Sequence, residues 1–254
     1  MLRAMPLGEA DRLFTLLTPQ LGKLRATARG VRKPTSKLGG HLDPLTRSSL
    51  TINRGRNLDT ITGADTLETF PLVKEDLERL SRAIYAVELV DAFSPEEAAS
   101  PQVYALFLET LRALGTAPSP DLVLRYFELH LLDLTGFSPT LDRCVECHEQ
   151  VLPGQHLFSA SASGILCPAC RASQPQAAPI SVDALKTMRF LSSQTMHSAM
   201  RLRVNPPLQR EVAALLSAFL RYILDREVRS TAFLRSVTRL PQRSDDIPAP
   251  VSTI

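Results

Sequence analysis

Lys23-Leu24-Arg25-Ala26-Thr27-Ala28-Arg29-Gly30 decides how the N-terminal part of the chain folds. Lys23, Arg25, Thr27 and Arg29 fall on one side of a period-two alternation, and Leu24, Ala26 and Ala28 fall on the other. Period two is the signature of a strand with one buried face. Three of the four outward residues are cations, so the strand carries a basic outer face. Upstream, Pro19-Gln20-Leu21-Gly22 reads as a turn, preceded by the apolar run Leu13 to Leu17. Leu7 to Leu17 also fits an amphipathic helix, and pattern alone leaves that alternative open. Downstream, Gly30 to Gly40 is a basic loop with Arg32, Lys33 and Lys37. Leu50 to Asn53 continues as a strand, Arg54-Gly55-Arg56-Asn57 forms a hairpin turn, and Leu58 to Ile61 returns. Short strands with Gly-bearing turns over residues 1–70 suit a small β-barrel.

The charge distribution separates this segment from the rest. Residues 1–56 hold 11 basic and 3 acidic residues, residues 57–143 hold 6 and 15, and residues 144–254 hold 12 and 8. A net of +3 thus hides a strongly basic first module, which suggests contact with a polyanion there.

Residues 71–240 read as a helical domain. Pro71 precedes an apolar stripe through Leu72, Val73, Leu77, Leu80, Ile84, Val87 and Phe93. Ser94-Pro95, Ser100-Pro101 and Ser119-Pro120 each offer a capping hydroxyl with Pro at the first helical position. Glu97 stands at the capping-box distance from Ser94, while Gly115 and Gly136 mark helix ends. Further helices are expected over 181–200 and 207–229, with a polar, Pro-bearing, disordered tail over 241–254.

Four cysteines interrupt the helices: Cys144 and Cys147, then Cys167 and Cys170, two CxxC pairs separated by 19 residues. Each pair can present two thiolates from a tight turn, and two pairs complete a tetrahedral zinc site. The competing reading is a pair of redox CxxC motifs, which usually sit at a helix start after a strand, and nothing around Cys144 or Cys167 has that pattern. Residues 141–176 are therefore expected to form a zinc finger inserted in the helical domain. A closed four-thiolate shell keeps one ion structural and leaves no position for a reacting water.

Several classes are excluded by what is missing. The chain has no phosphate loop of the GxxxxGK[ST] type, no HExxH and no GxSxG, so an enzyme is not expected. No apolar run approaches the ~18 residues of a membrane span. Charges at Arg3, Glu9, Asp11 and Arg12 leave no apolar signal-peptide core, so a cytoplasmic protein without membrane contact is expected.

Gly8-Glu9-Ala10-Asp11-Arg12-Leu13, Leu16-Leu17-Thr18-Pro19, Gly22-Lys23-Leu24, Ala28-Arg29-Gly30-Val31-Arg32-Lys33-Pro34 and Ser36-Lys37-Leu38-Gly39-Gly40 together resemble the N-terminal signature of the bacterial recombination mediator family RecO. The cysteine quartet follows a Gly136-to-Pro139 stretch where many members carry a zinc finger, and Tyr222 through Leu234 resembles the family's last helix. The resemblance, over roughly residues 6–235, implies an α+β protein: an N-terminal OB-fold β-barrel, then a helical domain with an inserted four-cysteine zinc finger. It implies a nucleoid-associated mediator that binds single- and double-stranded DNA and anneals complementary strands. It also implies partnership with RecR, in many bacteria RecF, and the tail of single-stranded-DNA-binding protein, so that RecA is loaded without covalent chemistry.

On this reading Lys23, Arg25, Arg29, Arg32, Lys33, Lys37, Arg54 and Arg56 are the cations expected to track phosphates. Phe14 and Phe70 are the only aromatics in residues 1–70, so base stacking should be weak and binding electrostatic. Arg125 and the late arginines Arg221, Arg226, Arg229, Arg235 and Arg239 are candidates to ring a pocket for the acidic partner tail. The family's apolar strand before the Gly-Glu-x-Asp block has only Met1 to Met5 ahead of Pro6 here, so the first barrel strand is expected to be truncated or missing. The alternative from another class is a zinc-ribbon accessory factor of transcription or translation, which would bind RNA or selected sequences and would not anneal strands.

Overall fold

A computed structural model describes residues 1–238. The basic segment folds as a five-stranded sheet in the order β1-β2-β3-β5-β4. Its strands are β1 (Arg3–Leu7), β2 (Asp11–Thr18), β3 (Gly22–Ala28), β4 (Arg47–Asn53) and β5 (Asp59–Glu68). All neighbours are antiparallel except β3 and β5, where Ala26 lies beside Asp59. Leu45 N donates to Met1 O, and the Met1 amine donates to Thr46 O just ahead of β4, so the sheet curls onto itself at that end. Register shifts at Arg47/Ser48 and Thr51/Ile52 bend β4 as a closing strand must bend. Phe14, Leu16, Leu24, Ala26, Ala28, Val31, Leu42 and Ile61 fill the interior. This is the small barrel expected from the alternation in β3.

Two expectations for this module are corrected. The first strand is present: Arg3–Leu7 pairs with Asp11–Thr15 over its whole length, Pro6 included. β1 is an edge strand, and there a proline costs no ladder bond that the sheet needs. The helical alternative for Leu7 to Leu17 is not adopted, because Gly8 at φ +65 turns the chain between β1 and β2.

The helical domain comprises α1 (Pro71–Lys74), α2 (Leu77–Phe93), α3 (Pro101–Thr116), α4 (Pro120–Leu134), α5 (Val182–Ser193), α6 (Met196–Arg201), α7 (Pro206–Leu224) and α8 (Ser230–Thr238). α4 lies at its centre, against α2, α3, α5, α6 and α7, and is buried on nearly every side. A helix in that position is apolar all round, as Leu122 through Leu132 largely are. The buried charged exceptions are Arg125 and Glu128, a pair 2.9 Å apart.

The helix boundaries differ from the sequence reading in four places. Pro71 opens one turn only; the long helix begins after Asp76, whose carboxylate accepts from Glu78 N and Arg79 N. Ser94 ends α2, its N–H bonded to Val90 O, and does not start a helix. Residues 94–99 instead run as a strap with Glu97 at φ +57. The helix expected over 181–200 breaks at Gln194, where Thr195 caps α6 through Ser198 N. The 207–229 helix stops at Leu224, where Asp225 turns left-handed. Ser100 does cap α3, accepting from Val103 N; α4 begins after Ser119 with Pro120 at its first position, but the Ser119 hydroxyl makes no capping bond. Glu88 of α2 accepts from Arg229 N, Ser230 N and the Ser230 hydroxyl, which fastens α8 to the bundle. The expected tail over 241–254 lies outside the described residues.

Between α4 and α5 the cysteine insert forms a second sheet from β6 (His156–Ser159), β7 (Gly164–Leu166) and β8 (Ala178–Ile180). Phe158 meets Phe219 of α7 edge to face at 5.7 Å, and Ile165 and Ile180 join the helical core.

Candidate nucleic-acid interface and metal site

The eight cations singled out in the sequence do not form one uniform face. Lys23 is spent on the helical domain: its ammonium donates to the carbonyl of Asp91 at 2.6 Å and to its carboxylate at 3.1 Å. Arg25 pairs with Glu96 at 2.7 Å. Arg54 pairs with Asp59, which also accepts from Gly55 N and so holds the β4–β5 turn. Thr27, expected on the outward face, is buried, and its hydroxyl donates to the carbonyl of Asp59.

Arg29, Arg32, Lys33, Lys37 and Arg56 are exposed, and among the described residues none has a carboxylate partner. Four of these five lie on the β3–β4 connection. Its start is pinned by a Gly30 N donation to the Asp11 carboxylate at 2.7 Å, an Arg32 N donation to Ala10 O, and the buried Val31. Holding the backbone fixes where these charges stand, which lowers the ordering cost of binding a polyanion.

Two cations were missed in the sequence. Arg12, the second residue of β2, stands opposite Ala28, beside the Arg29 loop. Arg3 shares a sheet face with Arg25, since both are register partners of Thr15. A first strand expected to be truncated or missing leaves Arg3 without a place in the sequence reading. The strand alternation of Arg3, Met5 and Leu7 was the available signal.

The candidates for a partner-tail pocket fare unevenly. Arg125 is buried against Glu128 inside the bundle, so it cannot meet an incoming peptide. Burial pushes Glu128 up to about 7, with Arg125 and Tyr85 pulling the other way. Arg221 is paired with Glu227. Arg226 and Arg229 are exposed, the Arg235 side chain is not described, and Arg239 lies outside the described residues.

The four cysteines do converge. The Sγ atoms of Cys144, Cys147, Cys167 and Cys170 all lie within 4.8 Å of one another, and Cys147 and Cys167 are 3.7 Å apart. Tetrahedral ligands about 2.3 Å from one ion stand about 3.8 Å apart. The two knuckles close through His148 N to Cys144 O and Cys170 N to Cys167 O. The β7 strand approaches closely because a Cβ on Gly164 would sit 2.5 Å from Thr140 O. Burial raises the Cys144 thiol, but N–H groups of Cys167, Cys147 and Glu146 aimed at its sulfur outweigh it and bring it down to about 6. Cys170, beside the Cys167 thiol, is pushed up to about 12. Thiols crowded this way cannot all ionise beside one another, and a dication removes that conflict. His148 and His156 stand outside the cluster.

Comparison with known proteins agrees with this division. A family model described as Recombination protein O N terminal matches residues 1–70, and one described as Recombination protein O C terminal matches residues 74–232. Curated relatives named DNA repair protein RecO include one from Roseiflexus sp. (strain RS-1), 42% identical over 243 residues, covering 96% of this chain and 86% of that one. Another from Dehalococcoides mccartyi (strain ATCC BAA-2266 / KCTC 15142 / 195) is 38% identical over 232 residues, 91% of each chain. A third, from Desulforudis audaxviator (strain MP104C), is 40% identical over 237 residues, covering 93% of this chain and 94% of that one.

Proposed function

The chain belongs to the RecO family of DNA repair proteins, and from that premise we propose that it is a DNA-binding recombination mediator. It binds single- and double-stranded DNA, anneals complementary strands, and helps load RecA onto DNA coated by single-stranded-DNA-binding protein. The observation that carries the DNA-binding reading is the set of exposed, unpaired cations Arg29, Arg32, Lys33, Lys37 and Arg56 on the barrel. Free guanidinium and ammonium groups release condensed counterions when they meet phosphates, whatever the sequence. Two aromatics in residues 1–70, Phe14 and Phe70, are both buried. The barrel therefore offers no exposed phenyl, phenol or indole ring on which a base can stack, and bases held mainly through phosphates stay free to pair. That combination favours annealing over protection of single strands.

Lys23, Arg25 and Arg54 make a smaller share of the interface than their number in the sequence suggests, because each already has an acid partner. Arg3 and Arg12 join the free cations. One zinc ion held by Cys144, Cys147, Cys167 and Cys170 is the resident metal, and it closes the insert's two knuckles on each other without reacting. RecR, RecF and the acidic tail of single-stranded-DNA-binding protein are the partners of this reading. It needs no nucleotide, performs no covalent step, and acts at the nucleoid in the cytoplasm. Among the described residues no helix is long and apolar enough to cross a membrane.

The test is binding of labelled oligonucleotides of unrelated sequence by fluorescence anisotropy. DNA of any sequence, single- or double-stranded, should bind within a few-fold of the same affinity. Binding restricted to RNA or to one sequence would overturn the reading in favour of a transcription or translation accessory factor.

A further inference from the structure

The strap between α2 and α3 lies along the barrel's basic strand. Glu97 N donates to Lys23 O at 2.8 Å, and Lys23 and Glu96 form an isolated parallel bridge. Gly22 permits the contact: a Cβ there would stand 2.1 Å from the carbonyl oxygen of Ala98. The end of α2 and the strap after it set two acids against two of the cations. Asp91, at the end of α2, takes Lys23, whose side chain is only 13% exposed. Glu96 takes Arg25 at 2.7 Å, and these side chains are 55% and 54% exposed.

The difference in exposure separates the roles of the two pairs. The Lys23 pair is partly buried and ties the barrel to the bundle. The Arg25 pair is bathed in solvent, where an ion pair is weak and exchangeable. A carboxylate at hydrogen-bond distance from a guanidinium also occupies the same donors that a phosphate would use. We propose that Glu96 is a built-in competitor for the DNA backbone: it holds Arg25 out of the interface until a phosphate displaces it. The device rests on the DNA-binding reading above and adds to it a graded autoinhibitory contact. It makes Arg25, which shares a sheet face with the free Arg3, a conditional extension of the free cations on the Arg29 loop. Because Glu97 N, Gly22 and Asp91 anchor the strap independently of the Glu96 carboxylate, neutralising Glu96 leaves the strap in place.

The experiment compares the full chain with Glu96→Gln, Glu97→Gln, Arg25→Gln and the Glu96→Gln/Arg25→Gln double variant. Affinity for a single-stranded oligonucleotide is measured across a salt series. Glu97 is the control, since its side chain is exposed and in no ion pair, and its loss removes the same charge from the strap. Glu96→Gln should tighten binding about two- to five-fold, the range of an exposed pair. It should also steepen the slope of log affinity on log salt by about 0.7, one added phosphate contact. Glu97→Gln should give less than half of that gain, and Arg25→Gln should abolish it. An equal gain from Glu97→Gln, or a Glu96→Gln gain that survives Arg25→Gln, would overturn the competitor while leaving DNA binding intact. A wild-type chain that binds no DNA would overturn the functional reading itself, and the competitor with it.

Discussion

The sharpest consequence of the barrel's charge layout concerns salt. Arg3, Arg12, Arg29, Arg32, Lys33, Lys37 and Arg56 have no acid partner among the described residues. If each meets one phosphate of a single strand, log affinity should fall with log salt at a slope of about −5. Raising salt from about 50 to about 200 mM then costs about a thousand-fold in affinity. The triple variant Arg29→Gln/Arg32→Gln/Lys33→Gln removes three contacts and should reduce the slope to about −3, so the same salt step costs about fifty-fold. All three side chains are exposed, so stability should change by under about 0.5 kcal/mol each. The assay is anisotropy of a labelled oligonucleotide at five or six salt concentrations, with Arg54→Gln as comparison. Unlike Glu96, the Asp59 partner of Arg54 is only 12% exposed and is also held by Gly55 N, so Arg54 stays engaged and its loss should leave the slope within about 0.5 of wild type. An unchanged slope in the triple variant, or an equal change in Arg54→Gln, would refute the division into free and spent cations.

Three further outcomes follow from the rest of the molecule. Purified protein should contain one zinc ion per chain by elemental analysis, and Cys144→Ser should lose it; retention of the ion by that variant would contradict the four-thiolate site. Phe158→Ala, removing a buried ring set edge to face on Phe219, should destabilise the helical domain by about 3–5 kcal/mol in chemical denaturation, and a cost under about 1 kcal/mol would show that the insert is not part of that core. Glu128 is raised by burial to about 7, above its ordinary carboxylate value, so the folded state binds its proton more tightly than the unfolded state. Its contribution to stability is therefore present at acid pH and is lost as pH rises toward and through about 7. Denaturation midpoints of Glu128→Gln against wild type between about pH 5 and 8 should show wild type losing relative stability upward through that window, and the opposite trend would contradict it.

Much of this was legible because it is local. The β3 alternation placed the barrel, and Leu24, Ala26 and Ala28 do lie in its interior. The cysteine spacing specified a convergent quartet because two knuckles at a ribbon's ends meet whatever surrounds them. Tertiary contacts produced the failures. Ser94-Pro95 has every local mark of a helix start, yet β3 offered its residues a strand-like partner and the strap took it. Lys23 and Arg25 read as free cations, because nothing in their neighbourhood announces Asp91 and Glu96 about seventy residues away. Arg125 looked like a surface candidate until α4 proved to be the central helix, where its charge meets Glu128. With only Met1 to Met5 ahead of Pro6, β1 looks too short to form, yet the strand runs through that proline to Leu7, because a sheet edge tolerates it.

The most direct test of the central claim is annealing. Two complementary oligonucleotides, one coated with single-stranded-DNA-binding protein, are mixed with the full chain without ATP across a salt series. Duplex formation should be accelerated at low salt and should fade as salt rises, in step with binding. Binding at low salt with no acceleration of annealing would contradict a mediator that holds phosphates and leaves bases free.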